Sequence, residues 1–278
     1  MYIPSLLPSF PLMSPLAKAL SGNEIPPIPA ESNSTTNSTV SHPQSRSLEK
    51  VITSCTRSGT VALTYDDGPG PYTDELLNIL DQNRVKATFF VNGDNANGPI
   101  TEGRLPAILR RAYAKGHHIG SHTYSHANLA ALGPGERWQE MDRLQQVLGD
   151  IIGVAPTYMR PPYFSCPGDC VQDMSDFGFH VVNANLDTKD YEHDYAQSRN
   201  IFSTMLDSYS PSTASFIVLV HDIHPETVET FTQYMIDEAR AYGYKLVTLG
   251  ECLGDAKANW YHQVTATGGG NNSISSRS

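Results

Sequence analysis

The sequence predicts an α/β fold: a parallel sheet with helical crossovers, either open or closed into a barrel. Three observations point to it. Between residues 51 and 260, short apolar runs alternate with segments of helical periodicity, and strands that alternate with helices pair in parallel. Of the 278 residues, 39% are apolar and no internal repeat divides the patterned stretch, so one sizeable core is expected. Acids, histidines and an arginine fall just past the apolar runs, at the carboxyl ends of strands where such sheets collect their sites.

The elements follow in order. Val61–Tyr65 reads as a buried strand. Thr73–Gln82 carries Leu76, Leu77 and Leu80 at helical spacing, with Thr73 as its expected N-cap. Lys86–Gly93 is the next strand, Leu105–Lys115 a helix stopped at Gly116, and His118–Thr123 begins as a strand. Glu136–Asp150 is helical; Phe179–Asp187 and Ser215–Asp222 are strands; Glu226–Tyr242 is a long helix; Tyr244–Glu251 closes the series. Residues 1–50 are expected to be a leader and disordered lead-in, since 22–50 are rich in Pro, Ser, Thr and Asn. Residues 261–278 are expected to be a disordered tail.

The formal charge is −10 and no basic stripe occurs, which excludes a nucleic-acid backbone as a partner. No apolar run approaches the roughly 18–20 residues of a membrane span. The cysteines Cys55, Cys166, Cys170 and Cys252 form no CxxC pair set, so two disulfides are expected if the compartment is oxidising, with three pairings open. Asn-x-Ser/Thr sequons begin at Asn33, Asn37 and Asn271, all in the polar flanks, which fits a glycosylated protein that is secreted, extracellular or bound in a cell wall. The apolar start, Met1–Gly22, supports secretion only weakly: four prolines interrupt it and no basic residue precedes Lys18.

The chemistry gathers in a few places. His122 and His126, four apart, would share one side of a helical turn, and two imidazoles plus a carboxylate make a zinc set with open positions. Asp66 and Asp67 stand side by side at a strand end. A turn needs only one Asp, and a second at the end of a buried run is costly. One acid for a cation and one for a proton would explain both.

Thr64–Pro69 (TYDDGP), Ser121–His126 (SHTYSH), Arg160–Tyr163 (RPPY), Leu186–Tyr191 (LDTKDY) and Leu219–His221 (LVH) stand in order over about 200 residues. They resemble the five motifs of the carbohydrate esterase family 4 polysaccharide deacetylases, the NodB-homology domain, and are nearest in wording to its fungal chitin deacetylases. The resemblance implies a distorted (β/α) barrel of about seven parallel strands. It implies a metal site at Asp67, His122 and His126 holding Zn2+, with Co2+ another divalent ion that would fit. Asp66 would be the general base, held as a carboxylate by Arg160. His221 would be the general acid, oriented and charge-stabilised by Asp190. The backbone N–H of Tyr163 would bind the oxyanion, Leu219 would line the acetyl-methyl pocket and Tyr191 would shape the cleft wall. It also implies the bridges Cys55–Cys252 and Cys166–Cys170. The first would close a loop worth about 5 kcal/mol as an upper figure; the second would stiffen the segment carrying Tyr163.

Two residues depart from the family pattern: Tyr65 stands where Phe is usual and Tyr191 where many members have Trp. Asp222 and His224 are further polar residues beside the acid; His224 and Asp187 are expected to be structural or to support the site from outside, and His117 and His118 to be strand-entry residues. The expected activity is hydrolysis of N-acetyl groups of GlcNAc units in chitin or chitooligosaccharides, by a monomer. Acetylxylan or peptidoglycan as substrate is the nearest rival, and an inactive carbohydrate-binding member the more distant one.

Overall fold

A computed structural model describes residues 50–264. The apolar start, the three sequons, the lead-in before Lys50 and the tail beyond residue 264 lie outside the described residues.

The centre of the fold is β1 (Thr60–Asp66), buried at every position, as expected of a strand covered on both faces. Around it stand β2 (Thr88–Val91), β3 (His118–Ser121), β4 (Tyr158–Met159), β5 (His180–Val181), β6 (Leu186–Asp187), β7 (Phe216–His221) and β8 (Lys245–Leu246). The order is β5-β4-β3-β2-β1-β7-β6, with β8 beside the start of β1, and every pairing in this sheet is parallel. Seven strands thus form the curled path, as expected, and an eighth is added to its middle.

The edge strands β5 and β6 come from one run, Phe179–Asp187, which the sequence suggests is a single strand. It divides because Asn183 and Asn185 take the chain across the gap between the edges. Val182 bridges Ile52, the Asn183 amide donates to the Ile52 carbonyl at 2.8 Å, and Asn185 Oδ1 accepts from the Ile217 amide at 2.7 Å. The barrel is therefore distorted: one peptide segment spans the gap where a ladder would otherwise close it.

Helices cover the sheet: α1 (Thr73–Asn83), α2 (Leu105–Ala114), α3 (Pro134–Ile152), α4 (Gly168–Asp176), α5 (Tyr195–Ser208), α6 (Thr232–Ala241) and the short α7 (Leu249–Cys252). Helical spacing buries Leu76, Leu77 and Leu80 on α1 and Met141, Leu144, Leu148 and Ile151 on α3. Helices α4 and α5 are additions to the sequence reading; Asp194 caps α5 by accepting from the Gln197 amide at 3.0 Å.

Three local expectations change. Thr73 is the first helical residue and not the N-cap, which is Tyr72; the Thr73 hydroxyl accepts from Gly70 N–H at 2.7 Å and donates to Asp222 at 2.6 Å. The long helix expected over Glu226–Tyr242 contains a π-helical turn, Thr227–Phe231, where Thr232 Oγ1 bonds the Thr227 carbonyl at 2.8 Å. The last strand stops at Leu246, because Thr248 and Glu251 form a capping box that starts α7. The fold also runs past residue 260: Tyr261 and His262 pair antiparallel with Pro156 and Ala155.

Both disulfides have the implied partners, Cys55–Cys252 and Cys166–Cys170, each with Cα atoms 5.1 Å apart. The first ties the segment before β1 to α7 across a separation of 197 residues. Replacing Cys55 and Cys252 together by Ser is expected to cost about 2–5 kcal/mol. Urea unfolding monitored by circular dichroism measures this, and an unchanged midpoint would count against a stabilising role for the bridge.

Candidate active site

Strand register assembles the site. β1 and β7 pair so that Asp66 lies directly beside His221, and Asp66 also pairs with Phe90 of β2. Val91 pairs with Ser121, and Ser121 with Met159, so His122 and Arg160 leave their strands at the same level. These carboxyl ends open into a cleft of about 510 Å³, lined among others by Asp66, Asp67, His122, His126, Tyr163 and His221.

Arg160 is fully buried beneath the cleft. Its Nη1 donates to Asp66 Oδ1 at 2.8 Å and to Thr64 Oγ1 at 2.7 Å, and its guanidinium lies 4.4 Å from the Phe90 ring centroid. Burial pushes the Asp66 carboxyl up from its ordinary value, and Arg160 and His221 oppose that rise. The Arg160 backbone serves the site as well, for its carbonyl is 2.7 Å from His122 Nδ1. That nitrogen must carry the proton to donate, which leaves the Nε2 lone pair facing the cleft. Burial pulls His122 down to about 3, so it is neutral as a ligand must be.

His122 Nε2 and His126 Nε2 lie 3.5 and 3.2 Å from Asp67 Oδ1, an oxygen that is buried and has no hydrogen-bond partner. The three donor atoms all fall within 4.8 Å of one another. A carboxylate oxygen left unpaired between two imidazoles is what a cation would satisfy, so these residues fit a metal. The two histidines do not share a helical turn, contrary to the sequence reading. His122 ends an extended segment, and Thr123 (φ 68°) and His126 (φ 58°) are left-handed; two backbone reversals bring the rings to 5.0 Å.

On the opposite wall, Asp190 is buried and grips His221 twice, through Nδ1 at 2.8 Å and through the backbone N–H at 2.8 Å. Thr227, in the π-helical turn, donates to the same carboxylate at 2.8 Å. Burial alone would pull His221 down, but the Asp190 hydrogen bond and charge, with Asp66 and Asp67, carry it up to about 9. Leu219 and Tyr191 line the cleft, and the Tyr191 ring stands edge-on to His221 at 5.6 Å. Tyr163 is 71% exposed, left-handed (φ 60°), and its ring lies 4.9 Å from His126. All ten residues singled out from the sequence are therefore gathered at one end of the sheet.

Tyr65 fits where Phe is usual because its hydroxyl meets Thr232 Oγ1 at 3.0 Å in the core. Asp222 is buried under the Asp66–Gly68 turn, so close that a Cβ on Gly68 would lie 2.3 Å from its carboxylate. Asp187 and His224 do line the cleft, and Asp187 accepts from the Tyr191 hydroxyl at 3.0 Å. His117 accepts from the Ala87 amide at 3.1 Å and His118 stacks on Trp260 at 4.4 Å, so both are packed away from the site. Thr64 and Thr227 support Arg160 and Asp190; Thr64 stands in the first motif without a role assigned from sequence, and Thr227, a single threonine in a helical run, carried no sequence signal.

A family profile described as polysaccharide deacetylase matches residues 53–182. A chitin deacetylase of Colletotrichum lindemuthianum is 47% identical over 214 residues, covering 76% of this chain and 86% of that protein. The chain belongs to the polysaccharide deacetylase family. The solved structure of the Colletotrichum enzyme superposes on this polysaccharide deacetylase with a TM-score of 0.75 at 46% identity, covering 77% of this chain and 95% of that one. A peptidoglycan-N-acetylglucosamine deacetylase of Bacillus cereus is 35% identical over 174 residues, 60% of this chain and 60% of that protein. The fold of this polysaccharide deacetylase is accordingly the NodB-type curled sheet, and no helix among its described residues is long and apolar enough to cross a membrane.

Proposed function

We propose that the protein is a secreted, zinc-dependent deacetylase, acting as a monomer, that hydrolyses N-acetyl groups of GlcNAc units in chitin or chitooligosaccharides to free amine and acetate. The observation that carries the reading is the pairing of Asp66 and His221 on adjacent strands, in one cleft with the Asp67–His122–His126 donor set. Likeness to a chitin deacetylase over most of both chains favours chitin, and two disulfides favour an oxidising, extracellular setting.

An acetamide is a poor electrophile with a poor leaving group. Zinc held by Asp67, His122 and His126 would activate water and polarise the acetamide carbonyl. Asp66, kept in place by Arg160, takes the proton of the attacking water. The Tyr163 N–H donates to the oxyanion that develops as the C–O bond forms. His221, charged beside Asp190, gives a proton to the nitrogen as the C–N bond breaks, because the amine cannot leave as an anion. Leu219 receives the acetyl methyl, and Tyr191 forms a wall against the sugar.

Acetate release from chitopentaose tests this, with the full chain stripped of metal and then given zinc. Zinc-dependent release is expected. Release only from acetylxylan or peptidoglycan would overturn the substrate, and zinc binding without turnover on any of the three would overturn the catalytic reading.

A further inference from the structure

Three asparagines in Val91–Gly98 (VNGDNANG) are outside the chemistry above, yet their side chains end on the backbone of the metal-donor residues. β2 lies between β1 and β3, so the chain leaving it at Asn92 passes between the ends that carry Asp67 and His122. Asn92 is 3% exposed, and its Nδ2 donates to the carbonyls of His122 at 2.6 Å and Thr123 at 3.1 Å. Asn95 Nδ2 donates to the Asp67 carbonyl at 2.8 Å and to Asn92 Oδ1 at 3.0 Å. Asn97 Nδ2 donates to the same Asp67 carbonyl at 3.1 Å, and its backbone N–H to Asn95 Oδ1 at 2.9 Å. The three amides form one connected network joining both strand ends.

The backbone they grip needs holding. Asp67 (φ 72°), Thr123 (φ 68°) and His126 (φ 58°) are non-glycine residues in the left-handed region, which persists only where the surroundings fix it. The Asp67 carbonyl takes two amide donors while its Oδ1 takes none. The donors thus fix the peptide and leave the carboxylate oxygen available.

We propose that Asn92, Asn95 and Asn97 are positioning residues for the metal: an amide clamp that fixes Asp67 against His122 and so sets the affinity of the site for zinc. The proposal rests on the metal reading given above. Partners that orient metal ligands from behind typically contribute 10–100-fold in affinity. The segment forms a short hairpin, Asp94–Asn95 pairing with Gly98–Pro99; amides that merely held this hairpin together would change stability and leave affinity alone.

The test is the zinc dissociation constant of the metal-stripped full chain, measured by competition with a chromophoric chelator. The wild type is compared with Asn95→Ala/Asn97→Ala, and with Asn97→Ala alone, a half-buried position whose loss the fold should tolerate if the double variant does not fold. The double variant is expected to bind zinc about 10–100-fold more weakly, the single variant less so, and zinc should raise the melting temperature of each by less than that of the wild type. Affinities within twofold of wild type would overturn the clamp, as would a lower melting temperature of the metal-free form with zinc binding intact. A wild type that binds no zinc would bring down the metal site itself, a result distinct from normal wild-type binding with unaffected variants.

Discussion

Asp66→Asn is expected to lower kcat by about 10²–10⁴-fold, the usual worth of a positioned proton acceptor, while zinc stays bound. The substitution preserves shape and leaves an oxygen for Arg160 Nη1, now 2.8 Å away. It removes the ability to take a proton and, with it, the negative charge. Zinc retention is expected because Asp66 is not among the three converging donors. The fully buried guanidinium loses its counter-charge in the variant, and breaking a buried pair destabilises. Turnover is therefore scored together with zinc content and a thermal melt, at a temperature where the variant is folded. A zinc-replete, folded variant with kcat within about tenfold of wild type would place the base elsewhere and remove the division of labour between Asp66 and Asp67.

The second large effect concerns the acid. As the proposed acid, His221 must be protonated to serve the leaving nitrogen, and its pKa is raised to about 9. Activity should therefore fall as pH rises through about 9, the acid losing the proton it has to give. Asp190→Asn removes the hydrogen-bonded carboxylate that raises His221 and leaves the burial that lowers it. The alkaline limb of the kcat profile should then move to lower pH, and kcat at its optimum should fall by about 10²–10⁴-fold. The acidic limb reports Asp66 gaining a proton, and should hold its place to the extent that Asp66 and His221 titrate independently. Rate profiles of the two proteins decide it. An alkaline limb that stays put in Asp190→Asn would show that His221 is not the group titrating there.

Asp66, Asp67, His122, Arg160 and His221 were legible because they stand at or just past strand ends, which apolar runs mark in sequence; Tyr163, Tyr191 and Leu219 came only from the resemblance of the five motifs. How each residue is held was not legible. Four-residue spacing brought His122 and His126 together on paper through a helix, whereas the chain uses two left-handed residues, Thr123 and His126, which no periodicity announces. Thr73 looked like a cap by position, but its hydroxyl serves Asp222; a tertiary partner outcompeted the local one. Phe179–Asp187 looked like one strand because apolar content does not report which neighbour each half will find, and here the halves pair at opposite edges. The asparagine network has no sequence period at all, since side-chain amides that grip carbonyls depend on where the chain passes.

The strands and the loops above them differ in how readily they can open. Asp66 and His221 ride on β1 and β7, the two longest strands of the main sheet, paired with each other along their length. The metal-donor residues lie just past the strand ends, Asp67 and His126 in left-handed backbone, and Asp67 is tied to the short hairpin in which Asp94–Asn95 pairs with Gly98–Pro99. Local opening draws on the least protected segments first. An ion held there as proposed would exchange by opening the hairpin and its neighbouring turns, while Asp66 and His221 stay paired on the sheet. An enzyme built this way would lose that ion and recover it without refolding its core.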